Sequence, residues 1–175
     1  PEITADPSRI KSAGKVIFPG VGEAGTTMNY LRRHQLDQTI LSLRQPVLGI
    51  CLGLQLMCSY SEEGNTSCLG IFGEKVIRFA PAPGREHIDK VPHMGWNSIY
   101  NLRSGIFEAS MEGEFVYFVH SYYLKAEEPE IVKATTEYGI TIHASVEKGN
   151  VFACQFHARY QSTVRGTRGS SNNSQ

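Results

Sequence analysis

Residues 46–53 of the chain read Pro-Val-Leu-Gly-Ile-Cys-Leu-Gly, and this stretch decides the fold. Residues 46–50 form an apolar run, which is typical of a strand buried on both faces of a parallel sheet. Residues 52–60 follow as a predicted helix. The segment thus places G-x-C-x-G at a tight strand-to-helix turn, the cysteine counterpart of the nucleophile elbow. The pattern predicts Cys51 as a nucleophile exposed at the carboxyl edge of the sheet.

The two glycines of this turn leave room for the backbone that passes beside the nucleophile. The amides at the start of the following helix point at the sulfur, so we expect them to lower the pKa of the Cys51 thiol. The amide of Leu52 is placed to bind a developing oxyanion. A buried structural cysteine between packing glycines is the alternative, and the strand-helix context favours the nucleophile.

The residues before the elbow repeat the same organisation. Residues 15–18 are a short apolar strand, residues 19–22 (Pro-Gly-Val-Gly) a glycine turn, and residues 27–43 an imperfect helical pattern. Residues 1–11 are interpreted as a connecting segment. Strand, turn and helix, repeated twice, predict an α/β fold with a central, mostly parallel sheet flanked by helices.

The rest of the chain is rich in short predicted strands, which suggest an antiparallel extension of the sheet. They span residues 69–79, 96–102, 114–120, 131–136, 140–146 and 150–156. We expect residues 1–160 to form one domain. Residues 161–175 contain Val164 as their only aliphatic residue, so we expect a disordered tail there.

The charge balance, the lengths of the apolar runs and the spacing of the cysteines indicate which partners and which cellular compartment to expect. Lysine plus arginine and aspartate plus glutamate number 17 each, giving a formal net charge of zero, so we expect neither a nucleic acid nor a membrane as partner. No apolar run approaches the ~18 residues that span a bilayer, and no secretory signal opens the chain. The four cysteines fit no zinc knuckle, so we expect reduced thiols in a cytoplasmic protein.

A cysteine nucleophile needs a base, and His157 is the best candidate among six histidines. It ends a predicted apolar strand, and α/β folds place site residues at strand ends. His120 also ends a strand and is the second choice, as a residue lining the site. The remaining histidines are interpreted as solvated, loop or packing residues: His34, His87, His93 and His143.

Three motifs in this order resemble those of the class I (triad) glutamine amidotransferases. They are residues 19–22 (Pro-Gly-Val-Gly), 49–57 (Gly-Ile-Cys-Leu-Gly-Leu-Gln-Leu-Met) and 155–157 (Gln-Phe-His). Within that class, residues 90–97 (Lys-Val-Pro-His-Met-Gly-Trp-Asn), 118–123 and 138–141 resemble the glutaminase subunit of imidazole glycerol phosphate synthase. Residues 90–97 argue against the glutaminase of pyridoxal phosphate synthesis, and nothing beyond the elbow favours an unrelated cysteine protease.

The resemblance implies hydrolysis of L-glutamine to glutamate and ammonia, with the ammonia passed to a cyclase subunit of (β/α)₈-barrel fold in a heterodimer for histidine biosynthesis. It implies Cys51 as nucleophile, His157 as acid and base, and the amides of Val21 and Leu52 as the oxyanion hole. It further implies six residues that bind substrate: Gly20, Gly22, Gln55, His120, Ser121 and Tyr122. It implies no metal and no organic cofactor.

The chain departs from the family pattern at both ends. The family's first strand and helix, and its C-terminal helix, are expected to be missing. The family continues after its histidine as His-Pro-Glu, whereas this chain reads His157-Ala158-Arg159, with no later carboxylate. We interpret this as a truncated and frame-shifted coding sequence, which resequencing would test.

Without the glutamate that follows the histidine in the family, two questions stay open: which residue orients His157, and whether the chain is active. Glu147, on a neighbouring predicted strand, is a possible replacement for the missing glutamate. The alternative function is a catalytically impaired module that binds the cyclase without efficient turnover, because Arg159 would disfavour the imidazolium and a lost triad acid costs orders of magnitude in rate.

Overall fold

The computed structural model describes residues 1–157, so the domain boundary at residue 160 and the predicted tail at residues 161–175 lie outside the described residues. Four helices are present in the described part: α1 Pro7–Ser12, α2 Ala24–Arg33, α3 Leu36–Leu41 and α4 Leu52–Met57. The strands of the same part are β1 Val16–Gly20, β2 Val47–Cys51, β3 Tyr60–Ser61, β4 Thr66–Ser67, β5 Lys75–Arg78, β6 His93–Ser98, β7 Phe115–His120, β8 Tyr122–Lys125, β9 Val132–Glu137, β10 Thr141–Lys148 and β11 Val151–Cys154.

The largest sheet has five strands in the order β1-β2-β11-β10-β9. β1, β2 and β11 are parallel, and β10 and β9 continue the sheet antiparallel. β2 therefore has a parallel neighbour on each side, which explains its uninterrupted apolar sequence. The predicted α/β fold with an antiparallel extension is confirmed.

Two smaller sheets complete the described structure. One has the strand order β4-β3-β5-β8, and the other is the two-stranded antiparallel ribbon β6-β7. The ribbon is tied to the main sheet because the amide of His157 donates to the carbonyl oxygen of Tyr117, with 2.9 Å between the two atoms. The end of the main sheet and the ribbon thus meet at His157.

The apolar core is divided between two clusters. The larger packs α2, α3 and α4 against the parallel strands, and among its most buried members are Met28, Leu54, Leu56, Met57, Phe72, Val76 and Leu124. The smaller lies under the ribbon and the antiparallel strands, and consists of Ile99, Val116, Phe118, Ala134, Ala144, Cys154 and Phe156. No helix among residues 1–157 has the length and apolar character required to cross a membrane.

Two predictions for the N-terminal third are wrong. The segment interpreted as a connection contains α1, which Asp6 caps by accepting from the amides of Ser8 and Arg9. The single helix predicted over residues 27–43 is two helices, because Gln35 adopts φ 56°, ψ 23° between them. A left-handed residue interrupts the helical hydrogen bonds, and α3 restarts in a new direction.

Several predicted bounds after the elbow also differ from the structure. The helix that follows Cys51 ends at Met57, and Tyr60 already belongs to β3. The strand predicted over residues 69–79 is reduced to β5, because the amides of Gly70 and Phe72 turn back to the carbonyls of Cys58 and Met57. The strand predicted over residues 96–102 is instead β6.

The end of β1 and the start of α4 approach each other more closely than side chains would allow. A Cβ on Gly53 would lie 2.0 Å from the carbonyl oxygen of Phe18, and a Cβ on Gly20 would lie 2.7 Å from the amide nitrogen of Gly53. On the other face of the elbow, a Cβ on Gly49 would lie 2.7 Å from the sulfur of Met57. Glycine is therefore a packing requirement at Gly53 and Gly20, where a Cβ would meet backbone atoms, whereas at Gly49 it would meet a flexible side chain.

Replacing Gly53 with alanine should destabilise the fold, although alanine normally favours a helix. The new methyl group meets a backbone carbonyl that cannot move without displacing β1, so we expect a loss of about 3 kcal/mol in the free energy of unfolding. Urea denaturation measures it. Gly105→Ala is the matched control, because a Cβ there meets nothing within 4 Å; equal stability of the two variants would contradict the packing argument.

Candidate active site

The elbow holds Cys51 in a backbone conformation that side chains rarely adopt. Cys51 has φ 56° and ψ −112°, between the last pairing of β2 and the first turn of α4. Such a conformation costs about 1–3 kcal/mol and persists only where the surroundings impose it. Here β1 and β11 fix β2 from both sides. The strain turns the Cys51 side chain away from the sheet and toward a cavity.

That cavity has a volume of ≈ 410 Å³, within the range usual for small-molecule sites. All ten residues predicted for the site line it: Gly20, Val21, Gly22, Cys51, Leu52, Gln55, His120, Ser121, Tyr122 and His157. The turn after β1, the elbow, the segment between β7 and β8 and the residues after β11 converge there. Three lining residues were not predicted: Glu63, Pro92 and Val119.

Cys51 as a residue is only 9% exposed. Burial raises its pKa, while hydrogen bonds from the Leu52 amide and the Gln155 side chain act in the opposite direction and the carboxylate of Glu63 raises the pKa further. The prediction that the helix N-terminus lowers this pKa is therefore wrong in its net effect. α4 has only six residues, and its favourable end does not outweigh the loss of solvent. The thiol needs a base to become nucleophilic.

His157 is the imidazole that shares the cavity with Cys51 and follows the strand adjacent to the elbow. Its backbone is fixed by the bond to Tyr117, so its position follows from the junction of the main sheet with the ribbon. An imidazole can accept a proton from a thiol and return it to a leaving group.

His120, which lines the cavity, forms a pair with the buried His93. Nδ1 of His93 is 3.0 Å from Nε2 of His120, and Nδ1 of His120 donates to the carbonyl oxygen of Tyr122 over 2.9 Å. The ring of His93 stacks between those of Phe118 and Tyr138. Burial lowers the pKa of each histidine to about 4, so the pair is neutral near pH 7. His93, interpreted from sequence as a loop residue, is in fact buried in β6.

Two further polar groups were missed by sequence analysis. Gln155 is fully buried and its Nε2 lies 3.8 Å from the sulfur of Cys51. The sequence feature that could have identified Gln155 is its polar side chain within the otherwise apolar stretch of residues 151–156. Glu63 lies on the cavity wall, where one carboxylate oxygen accepts from the amide of Ala24 over 2.9 Å. Its position depends on the loop between β3 and β4, for which the sequence carried no signal.

Glu147 does not replace the expected triad acid. It pairs with Phe152 near the start of β11, whereas His157 lies beyond the opposite end of that strand. Its carboxylate instead accepts a hydrogen bond from the hydroxyl of Ser104. β11 ends at Cys154, three residues before His157, and the hydrogen bond of the Glu147 carboxylate goes to Ser104 and not to His157.

No group of three or more histidine, cysteine, aspartate or glutamate side chains within residues 1–157 is arranged to hold a metal ion. The chemistry available in the described site is that of a thiol, an imidazole, a carboxylate and backbone amides. These are the components of acyl transfer through a covalent thioester.

Comparisons with known proteins show the family of this chain. The model of the family "Glutamine amidotransferase class-I" matches residues 2–174. The imidazole glycerol phosphate synthase subunit HisH of Bacteroides fragilis is 56% identical over 155 residues, covering 89% of this chain and 76% of that protein. HisH of Chromobacterium violaceum is 42% identical over 160 residues, with 89% and 75% coverage. A crystal structure of a glutamine amidotransferase superposes with a TM-score of 0.64 at 14% identity, covering 88% of this chain and 75% of that one, and supports the fold.

The chain belongs to the class I glutamine amidotransferases. Within that class it belongs with the HisH subunits of imidazole glycerol phosphate synthase, the subfamily that the motif at residues 90–97 indicated.

The buried histidine pair makes stability depend on pH on the acid side. Between pH 6.5 and about 4, the unfolded chain binds a proton on His120 that the folded chain does not. The free energy of unfolding should therefore fall as the pH drops through this window, by on the order of 3 kcal/mol from His120. Denaturation at several pH values measures this loss. His120→Gln should flatten that dependence, and the exposed control His34→Gln should keep it; an unchanged slope in His120→Gln contradicts the assignment.

Proposed function

We propose that this chain is the glutaminase of a two-subunit synthase: it hydrolyses L-glutamine to glutamate and ammonia, and the ammonia passes to a cyclase subunit. The observation that carries the proposal is the strained Cys51 elbow, facing one cavity with His157 and the glycine turn of residues 19–22. The family and the HisH relatives support the same activity.

The reaction follows from the groups that line the cavity. His157 takes the thiol proton as the sulfur of Cys51 attacks the side-chain amide carbon of glutamine. The resulting oxyanion is stabilised by the amides of Val21 and Leu52. When the tetrahedral intermediate collapses, the carbon–nitrogen bond breaks, and His157 returns its proton to the departing ammonia. Water, deprotonated by His157, then attacks the thioester and releases glutamate and the free thiol.

The cavity also offers partners for the charged end of glutamine. Glu63 lines the cavity and provides a carboxylate for the α-ammonium group, while one of its oxygens accepts from the amide of Ala24. Backbone amides of Gly20 and Gly22 suit the α-carboxylate. Gln55, His120, Ser121 and Tyr122 form the remaining wall. A substrate carrying both charges next to a side-chain amide fits this arrangement.

The partner surface is the outer face of the ribbon β6-β7, formed by Met94, Trp96, Phe115, Tyr117 and Val119. Register places Met94 opposite Val119 and Trp96 opposite Tyr117 on the same face. Met94 is 60%, Trp96 40% and Phe115 62% exposed. Val119 also lines the cavity, so a cyclase of (β/α)₈-barrel fold docked on this ribbon face would cover the place where ammonia is released.

The four cysteines are all free in the structure. Reduced thiols suit a reducing compartment, so we place the enzyme in the cytoplasm. No cofactor is required by the proposed reaction.

Ammonia release from L-glutamine by the full chain with its cyclase subunit and the cyclase substrate tests the proposal. Cys51→Ala should abolish release, because no thioester can form, while Cys68→Ala should retain it. Glutamate dehydrogenase coupling or direct ammonia assay provides the measurement. If the wild-type chain binds its partner but releases no ammonia, the alternative of an impaired binding module is correct.

Trp96→Ala should weaken binding of the cyclase subunit, because a large aromatic side chain at the centre of an apolar face dominates such contacts. We expect the dissociation constant to rise at least about tenfold. Titration calorimetry measures the change. Tyr30→Ala is the matched control: Tyr30 is 49% exposed on α2, away from the ribbon face. Equal affinities of the two variants would place the partner elsewhere.

A further inference from the structure

Gln155 is a buried polar side chain in contact with the nucleophile, and the reaction described above leaves it without a role. Its side chain has no exposed surface, and its Nε2 donates to the sulfur of Cys51 over 3.8 Å. Its backbone amide is held by the carbonyl of Ala144 at 2.9 Å, which fixes the residue to the antiparallel part of the sheet.

The orientation of the Gln155 amide is determined by its neighbour Gln55. The amino group of Gln55 donates to the carbonyl oxygen of Tyr122 over 2.9 Å and to Oε1 of Gln155 over 3.1 Å. Carbonyl oxygens only accept, so neither amide can be rotated without losing these bonds. Oε1 of Gln155 must face Gln55, and its N–H must face the sulfur.

The pair of His93 and His120 belongs to the same network of hydrogen bonds, which it joins at the carbonyl of Tyr122. His120 donates to the same carbonyl of Tyr122, so its Nε2 accepts from Nδ1 of His93. No buried side-chain nitrogen or oxygen in the described residues lacks a hydrogen-bond partner. The network therefore has two arms that meet at the Tyr122 carbonyl, which accepts from both His120 and Gln55. From Gln55 the second arm continues through Gln155 to the sulfur of Cys51. Buried networks in which every group is satisfied in this way are rigid.

We propose that Gln155 is a catalytic residue whose side-chain N–H stabilises the Cys51 thiolate as it forms, and that Gln55, His120 and His93 are positioning residues that keep the Gln155 carbonyl from turning toward the sulfur. A donor to the charged form of an acid favours ionisation, and a carbonyl oxygen at the same place would oppose it. This inference rests on the proposed function only in taking Cys51 as the nucleophile.

The amide acts against two features that oppose a negative charge on the sulfur: burial, and the carboxylate of Glu63 in the same cavity. Cys154, on the adjacent strand β11, is a further titratable group near the sulfur, and burial raises its pKa to about 12. His157 shares the cavity, and His120 is neutral near pH 7. Besides the backbone amide of Leu52, Gln155 provides the hydrogen bond that lowers the pKa of the buried thiol.

The pH dependence of Cys51 alkylation by iodoacetamide, followed on its own peptide by mass spectrometry in the full chain, tests the proposal. Gln155→Met keeps the side-chain length and removes the donor. We expect its thiol midpoint to rise by about one pH unit, with alkylation at pH 7 about tenfold slower. Gln155→Glu should raise the midpoint further, Gln55→Met should raise it less, and the exposed control Gln38→Glu should match the wild type. Unchanged midpoints in folded Gln155 variants overturn the proposal.

A measurement on the wild type keeps the proposal testable if these variants do not fold. The side-chain amide protons of Gln155, observed by ¹⁵N-edited NMR, should shift with the same midpoint as the alkylation of Cys51. No shift across that midpoint would overturn the proposal. Neither readout uses glutamine, so a chain that fails to release ammonia can still show the Gln155 effect, and the two failures are distinguishable.

Discussion

The site depends on the contact between the backbone of β1 and the first turn of α4. Gly53 lies against the carbonyl of Phe18 with no room for a methyl group. This approach forces the chain to reverse within one residue after β2, and Cys51 takes the strained conformation that makes the reversal possible. The exposure of the sulfur to the cavity, the direction of α4 and the juxtaposition of the two glycine turns all follow from that contact.

The same contact creates a chemical difficulty. A cysteine enclosed by strands and a short helix loses its solvent, and desolvation raises the pKa of its thiol. Protein groups must then replace the water. The structure provides the Leu52 amide and the Gln155 side chain next to the sulfur, and it provides an imidazole across the cavity. The close packing around Cys51 removes water from its sulfur, and the buried hydrogen-bonded side chains next to the cavity replace that water.

The sequence alone was sufficient to predict those features of the structure that depend on neighbouring residues in the chain. The apolar run of β2, the glycines of the elbow and the strand end at His120 could all be identified, and with them ten of the thirteen residues that line the cavity. The predictions that failed concern features that depend on contacts between residues far apart in the sequence. The break at Gln35 depends on how α3 packs, and the contacts of His93 and Gln155 join residues 27 and 104 positions apart. The upward shift of the Cys51 pKa depends on burial, which the motif does not report.

The position of β11 in the sheet has a consequence for the folding of the protein during its synthesis. β11 inserts between β2 and β10, although about a hundred residues separate it from β2 in sequence. Pairings of this kind close large loops, and the entropy cost of closing them makes such pairings slow to form. During synthesis on the ribosome, Cys51 emerges long before the strand that supports its elbow, and the imidazole of His157 emerges after that strand. The nascent chain therefore carries a cysteine without its base and without the strand that supports its elbow, and catalytic competence arrives only with the completed sheet.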